Sequence, residues 1–172
     1  YTGRVFLLHV YHWHNVEGEI PWLQYSLRCI VYCPLLKGLS FGGQLVSGEL
    51  KNVRVGVIGC GQHASACIHP SLPWVPELEG VGVCDLDASL ASRTASRLGV
   101  SATYTNMELM LANEQLDAVI GVGPGGMHAE VGLTCLEAGV HLFVDKPPAL
   151  NPRDAHRLAD TAVSYTHLTL PT

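Results

Sequence analysis

Val53-Arg-Val-Gly-Val-Ile-Gly-Cys-Gly-Gln-His-Ala64 is the stretch on which the reading of this chain turns. Its first half, Val53–Ile58, is a β-branched apolar run of the kind that parallel sheets bury on both faces. Its second half is G-x-G-x-x-A and opens a short helix over Gln62–Ile68, which Pro70 ends or kinks. A strand, a glycine turn and a helix in that order form the fingerprint of a dinucleotide site. Gly59 permits the tight turn, Gly61 lets backbone approach a pyrophosphate, and Ala64 lets the helix pack on the strand. Free N–H groups and the dipole at the helix start favour the phosphates, so Gln62 and His63 join the cofactor-contacting set.

Downstream, apolar runs and helical segments alternate. Val81–Cys84 is a second strand and Ala88–Leu98 a helix, with Asp87 as N-cap and Gly99 closing it. Ala102–Tyr104 is a short third strand. Thr105-x-x-Glu108 reads as a capping box that starts a helix to about Ala112. Ala118–Val122 and Val140–Val144 are further strands, separated by a helix over Met127–Ala138 that Gly139 stops. Asn151, Pro152 and Asp154 occupy the N-cap, N1 and N3 positions of a last helix, through Asp160. This alternation predicts an α/β fold, a doubly wound parallel sheet with helices on both faces. Asp85 ends the second strand, 21 residues beyond Ala64. A carboxylate there accepts from both hydroxyls of the adenosine ribose and repels a 2′-phosphate, which favours NAD over NADP.

Composition agrees with a globular chain: 48% of its 172 residues are hydrophobic and 15% charged. A net charge of −5 argues against a nucleic-acid surface, and no apolar stretch approaches the roughly 18 residues of a membrane span. Scattered cysteines, Cys29, Cys33, Cys60, Cys67, Cys84 and Cys135, read as small buried hydrophobes rather than a disulfide framework, and the expected location is cytoplasmic. Residues 1–50 differ from the rest. They hold eight aromatics and no net charge, whereas residues 51–161 hold three aromatics, and the excess of acid lies beyond residue 50. Val5–Val10 and Ile30–Leu36 are the strand candidates there, the second weakened by Pro34. We read 1–50 as an extension outside the natural protein, a small domain fragment or partner-binding module being the alternative. Residues 51–161 are read as the dinucleotide-binding domain and 162–172 as a non-native tail. His9, His12 and His14 with Cys29 and Cys33 match no common zinc spacing, so no metal site is expected.

Three stretches carry a family resemblance: Val53–Ala64; Asp117-Ala-Val-Ile-Gly-Val-Gly-Pro124 with His128; and Leu136-Glu-Ala-Gly-Val-His-Leu-Phe-Val-Asp-Lys-Pro147. Together they resemble the N-terminal domain of the Gfo/Idh/MocA oxidoreductases, over about 110 residues. Gly123 stands where that pattern has Thr, Asp145 where it has Glu, and Pro148 where it has Leu. The resemblance implies hydride transfer between a sugar or polyol carbon and the nicotinamide of NAD. It implies that Gly123, Pro124 and His128 line the nicotinamide side, with Asp145 and Pro147 beside them. It implies that Lys146 is catalytic, polarising the reacting oxygen and helping to relay its proton. Pro147 is expected in a constrained turn whose isomer the sequence does not show. The family's second, α+β domain, which covers the substrate and often makes a homo-oligomer, has no counterpart in these 172 residues. Cofactor binding without turnover is therefore expected of the chain alone. Two other readings stand beside it: an NAD-dependent glycosidase of the same fold, and a non-catalytic nucleotide-sensing domain.

Overall fold

The computed structural model describes residues 52–168, with side chains through Ser164. The strand candidates in 1–50, Cys29, Cys33 and the histidines near them lie outside the described residues. Five strands form one parallel sheet: β1 (Val53–Ile58), β2 (Leu78–Cys84), β3 (Thr103–Tyr104), β4 (Ala118–Gly121) and β5 (His141–Val144). Their order is β3-β2-β1-β4-β5, so the sheet is wound in both directions from β1. The α-helices among the described residues are α1 (Ala88–Leu98), α2 (Met107–Asn113), α3 (Gly125–Glu137) and α4 (Pro152–Leu168).

Strand β4 shows why the apolar runs are continuous. Ala118 and Ile120 pack with Val53, Val55 and Phe143 on one face, while Val119 packs with Met110, Val131 and Cys135 on the other. Both faces are covered, so an alternating pattern would bury polar side chains without partners. β2 begins three residues before the expected Val81, because Glu79 and Gly80 extend the ladder without contributing to the apolar run. Its register against β1 shifts between Val55 and Gly56.

The helix ends follow local chemistry. Asp87 caps α1 as expected, accepting from the Ser89 and Leu90 amides at 2.8 and 3.3 Å, and Gly99 closes it at φ 70°. The capping box at Thr105 does not form. The Asn106 side chain caps α2 instead, accepting from the Leu109 amide at 2.7 Å. That moves the helix start one residue on and leaves Glu108 at the second position, short of the reach a capping box needs. α3 starts two residues earlier than expected, at Gly125, directly after Pro124. At α4, Asn151 and Asp154 exchange two hydrogen bonds, 2.7 and 2.9 Å, in the expected cap positions. α4 then runs on past Asp160 to Leu168, with Ala162 fully buried beside Leu136 and Leu158.

The expected helix after the glycine loop is the largest departure. Ala64–Ile68 is a π-helical turn, with the His69 amide donating to Ala64 O five residues back, and His69–Trp74 is a 3₁₀ turn. Pro70 has no amide to continue an α-ladder, so the chain changes hydrogen-bond register there.

Candidate functional site

The C-terminal edge of the sheet, where β1 and β4 diverge in their connections, brings most of the predicted residues together. Gly59 follows β1 at φ 92°, and a Cβ on it would run into the Val122 carbonyl. Its amide donates to Cys84 O at 2.8 Å, so the turn is wedged between the ends of β2 and β4. Gly61 is different: a Cβ there would meet nothing within 4 Å. The fold does not itself require glycine at 61, so the open space fits a group from outside. Ala64 is buried in the cluster of Val53, Val55 and Ile68, where a larger side chain would push the turn off the sheet.

Asp85 does more than the sequence suggested. Its Oδ2 accepts from the Cys60 amide at 2.7 Å and its Oδ1 from the Asp87 amide at 2.9 Å. One carboxylate thus ties the glycine turn to the end of β2. Each oxygen retains a lone pair, which leaves room for ribose hydroxyls. Cys60 and Cys84, beside it, are buried and free, and burial pushes both thiols up, Cys84 to about 11. Neither supplies a thiolate near neutral pH.

On the other side of β1, His128 is 1% exposed, and both its ring nitrogens are engaged within the protein. Nδ1 lies 2.7 Å from Pro147 O, and Nε2 accepts from the Gly123 amide at 3.3 Å. A carbonyl only accepts and an amide only donates, so the ring carries its proton on Nδ1. The ring therefore braces the loop after β4 against the loop after β5. Pro147 follows a cis peptide bond from Lys146. Pro124 is exposed at the start of α3. Asp145 accepts from the Lys146 amide at 2.8 Å, and its second oxygen lies 3.1 Å from Nε2 of His63. His63 and Asp145 thereby link the glycine loop to the end of β5. Gln62 and Lys146 are exposed, and the Lys146 ammonium has no ion-pair partner among the described residues.

Met127, which the sequence motifs do not include, also lies between these loops. Its Sδ occupies the space a Cβ on Gly123 would take, and its Cε comes within 3.7 Å of a Cβ placed on Gly59. The cue was an apolar residue in the first turn of the helix after Gly123, a position otherwise read as ordinary core. No group of three or more His, Cys, Asp or Glu among the described residues is placed to hold a metal ion.

A model of the oxidoreductase family with an NAD-binding Rossmann fold, GFO_IDH_MocA, matches residues 53–170. The chain is 37% identical over 111 residues to D-glucoside 3-dehydrogenase of Escherichia coli, covering 64% of this chain and 31% of that protein. It is 33% identical over 130 residues to a glycosyl hydrolase family 109 protein of Shewanella pealeana, covering 69% of this chain and 28% of that protein. Among solved structures, a 3-ketoreductase from Actinomadura kijaniata in complex with TDP-benzene and NADP matches with TM-score 0.61 and 30% identity. That match covers 66% of this chain and 35% of the other. The chain thus spans about a third of the length of the curated relatives it matches.

Proposed function

Because the chain belongs to the Gfo/Idh/MocA oxidoreductase family, we propose that it is the NAD-binding part of an enzyme moving hydride between a sugar or polyol carbon and the nicotinamide. The observation that carries the cofactor assignment is the bond from the Cys60 amide to Asp85, beside an unobstructed Gly61. It holds the acid against the glycine turn with its free lone pairs available to a ribose. In this reading Gly59 shapes the turn, while Gly61, Gln62, His63 and Ala64 form the pyrophosphate cradle at the head of the following turn. Asp85 holds the adenosine ribose and excludes a 2′-phosphate, which makes NAD the cofactor rather than NADP. When bound, the cofactor supplies the hydride chemistry. The exposed Lys146 ammonium lowers the cost of negative charge growing on the substrate oxygen and, in the direction of reduction, donates a proton to it. Asp145 fixes the backbone of Lys146, and His128 fixes the Pro147 carbonyl next to it. Gly123 and Pro124 shape the nicotinamide side. For the 172 residues alone, we infer binding without turnover. We further propose a cytoplasmic enzyme acting on small molecules and homo-oligomeric when whole; no described helix is long and apolar enough to cross a membrane.

The test is titration of NAD and NADP into the chain while following Tm, since a ligand of the folded form must raise it. NAD is expected to raise Tm more than NADP. D85N keeps an acceptor for the Cys60 amide but removes the charge, so it is expected to cost about tenfold in NAD affinity and to narrow the gap to NADP. No rise with either nucleotide, from a folded chain, overturns the reading. The likeness to a glycosyl hydrolase favours a second reading, glycoside cleavage assisted by transient oxidation. Net NADH formation by the whole enzyme marks a dehydrogenase, and sugar release without it marks the glycosidase.

A further inference from the structure

We propose that the Met127 thioether is the apolar wall against which the nicotinamide ring rests, and that residue 123 is glycine because that thioether needs its space. The proposal rests on the dinucleotide reading above and goes beyond it to a residue that the motifs do not include.

The geometry is that of two loops joined by one side chain. Gly59 and Gly123 follow the ends of β1 and β4, which are neighbours in the sheet. The Met127 amide donates to Pro124 O at 2.9 Å, which fixes the first turn of α3. From there the side chain reaches back over Gly123. A Cβ at 123 would overlap Sδ and come within 3.1 Å of Cε and 3.4 Å of Cγ. The same Cε lies toward Gly59, so the thioether spans the gap between the two loops. Part of it packs on the cluster of Ile58 and Val119, and the residue is only partly buried, so part of it is open to solvent.

Position along the crevice determines which end of a dinucleotide it meets. Asp85, at the end of β2, assigns the adenosine to one side of β1. Met127 lies on the opposite side, over β4, where the other half of the molecule falls. The polar neighbour in that turn, His128, is already spent on Gly123 and Pro147. What remains there for a planar heteroaromatic ring is a polarizable sulfur and its methyl, a surface suited to ring contact.

ADP-ribose, which lacks only the nicotinamide ring, separates this from a general role. In the 172-residue chain, M127A is expected to weaken NADH by about 2- to 10-fold, with ADP-ribose changed by less than about twofold. M127L conserves volume without the sulfur and is expected to keep the parent Tm while losing part of the NADH increment. G123A, which displaces the thioether, is expected to mimic M127A, and the double variant to cost no more than either alone. Equal weakening of NADH and ADP-ribose, no weakening of either, or additive costs would overturn the proposal. If the unaltered folded chain binds neither ligand, the dinucleotide reading itself falls, and this one falls with it.

Discussion

His128 shows how a residue is found in a sequence without its role being found. Only the family resemblance implied a place for it beside the nicotinamide. Nothing in the sequence told that its ring turns inward to join Gly123 to Pro147, because that depends on two loops that only the sheet brings together. Its geometry predicts the tautomer with the proton on Nδ1, the minor form in free histidine. Imidazole ¹⁵N shifts of labelled chain check it, and an Nε2-protonated ring would contradict the brace. H128A removes the partner of a part-buried amide and of a carbonyl and removes the packing of a buried ring. It is expected to cost about 2–5 kcal/mol by denaturant unfolding. Asp85 teaches a related lesson. Its charge and spacing were legible, but its hold on Cys60 was not, since a backbone amide carries no sequence signature.

Among elements, the strands were the most legible, because sandwiched parallel strands are written as unbroken apolar runs. Boundaries were less so. Thr105-x-x-Glu108 has the letters of a capping box, yet the neighbouring Asn106 takes the role, its carboxamide reaching Leu109 N. Asn and Thr compete closely as caps, so a pattern cannot choose between adjacent ones. The expected consequence is asymmetric: N106A costs about 1 kcal/mol of stability and T105A less than about 0.5. Equal losses in thermal or urea unfolding would return the cap to Thr105. The π turn at Ala64–Ile68 was not legible either. Pro70 announced an interruption, but the five-residue step that accommodates it depends on how Ala64 and Ile68 seat on the sheet.

At the scale of the molecule, burial gives the chain an acid limit. Desolvation lowers the pKa of His69, with a Gly59 backbone hydrogen bond partly opposing it, and desolvation likewise lowers that of His141. Both rings are held neutral when folded, while the unfolded chain takes up protons below about pH 6.5. Their contribution is therefore complete above that pH and is lost as pH falls through the folded values. Tm is expected to be flat from pH 8 to about 7 and to decline below about 6.5, and a profile level to pH 5 would refute this. The strand order has a consequence for the order of assembly. β1 bears the glycine turn, yet among the described strands its neighbour β4 is made after β2 and β3, and Val55 meets Ala118 only after 62 intervening residues. During vectorial synthesis the nucleotide fingerprint emerges early, while the crevice that gives it meaning closes late, when β4 docks and Val122 meets Gly59. Nascent chains stalled before that strand would carry the motif intact and have nowhere to seat a ligand.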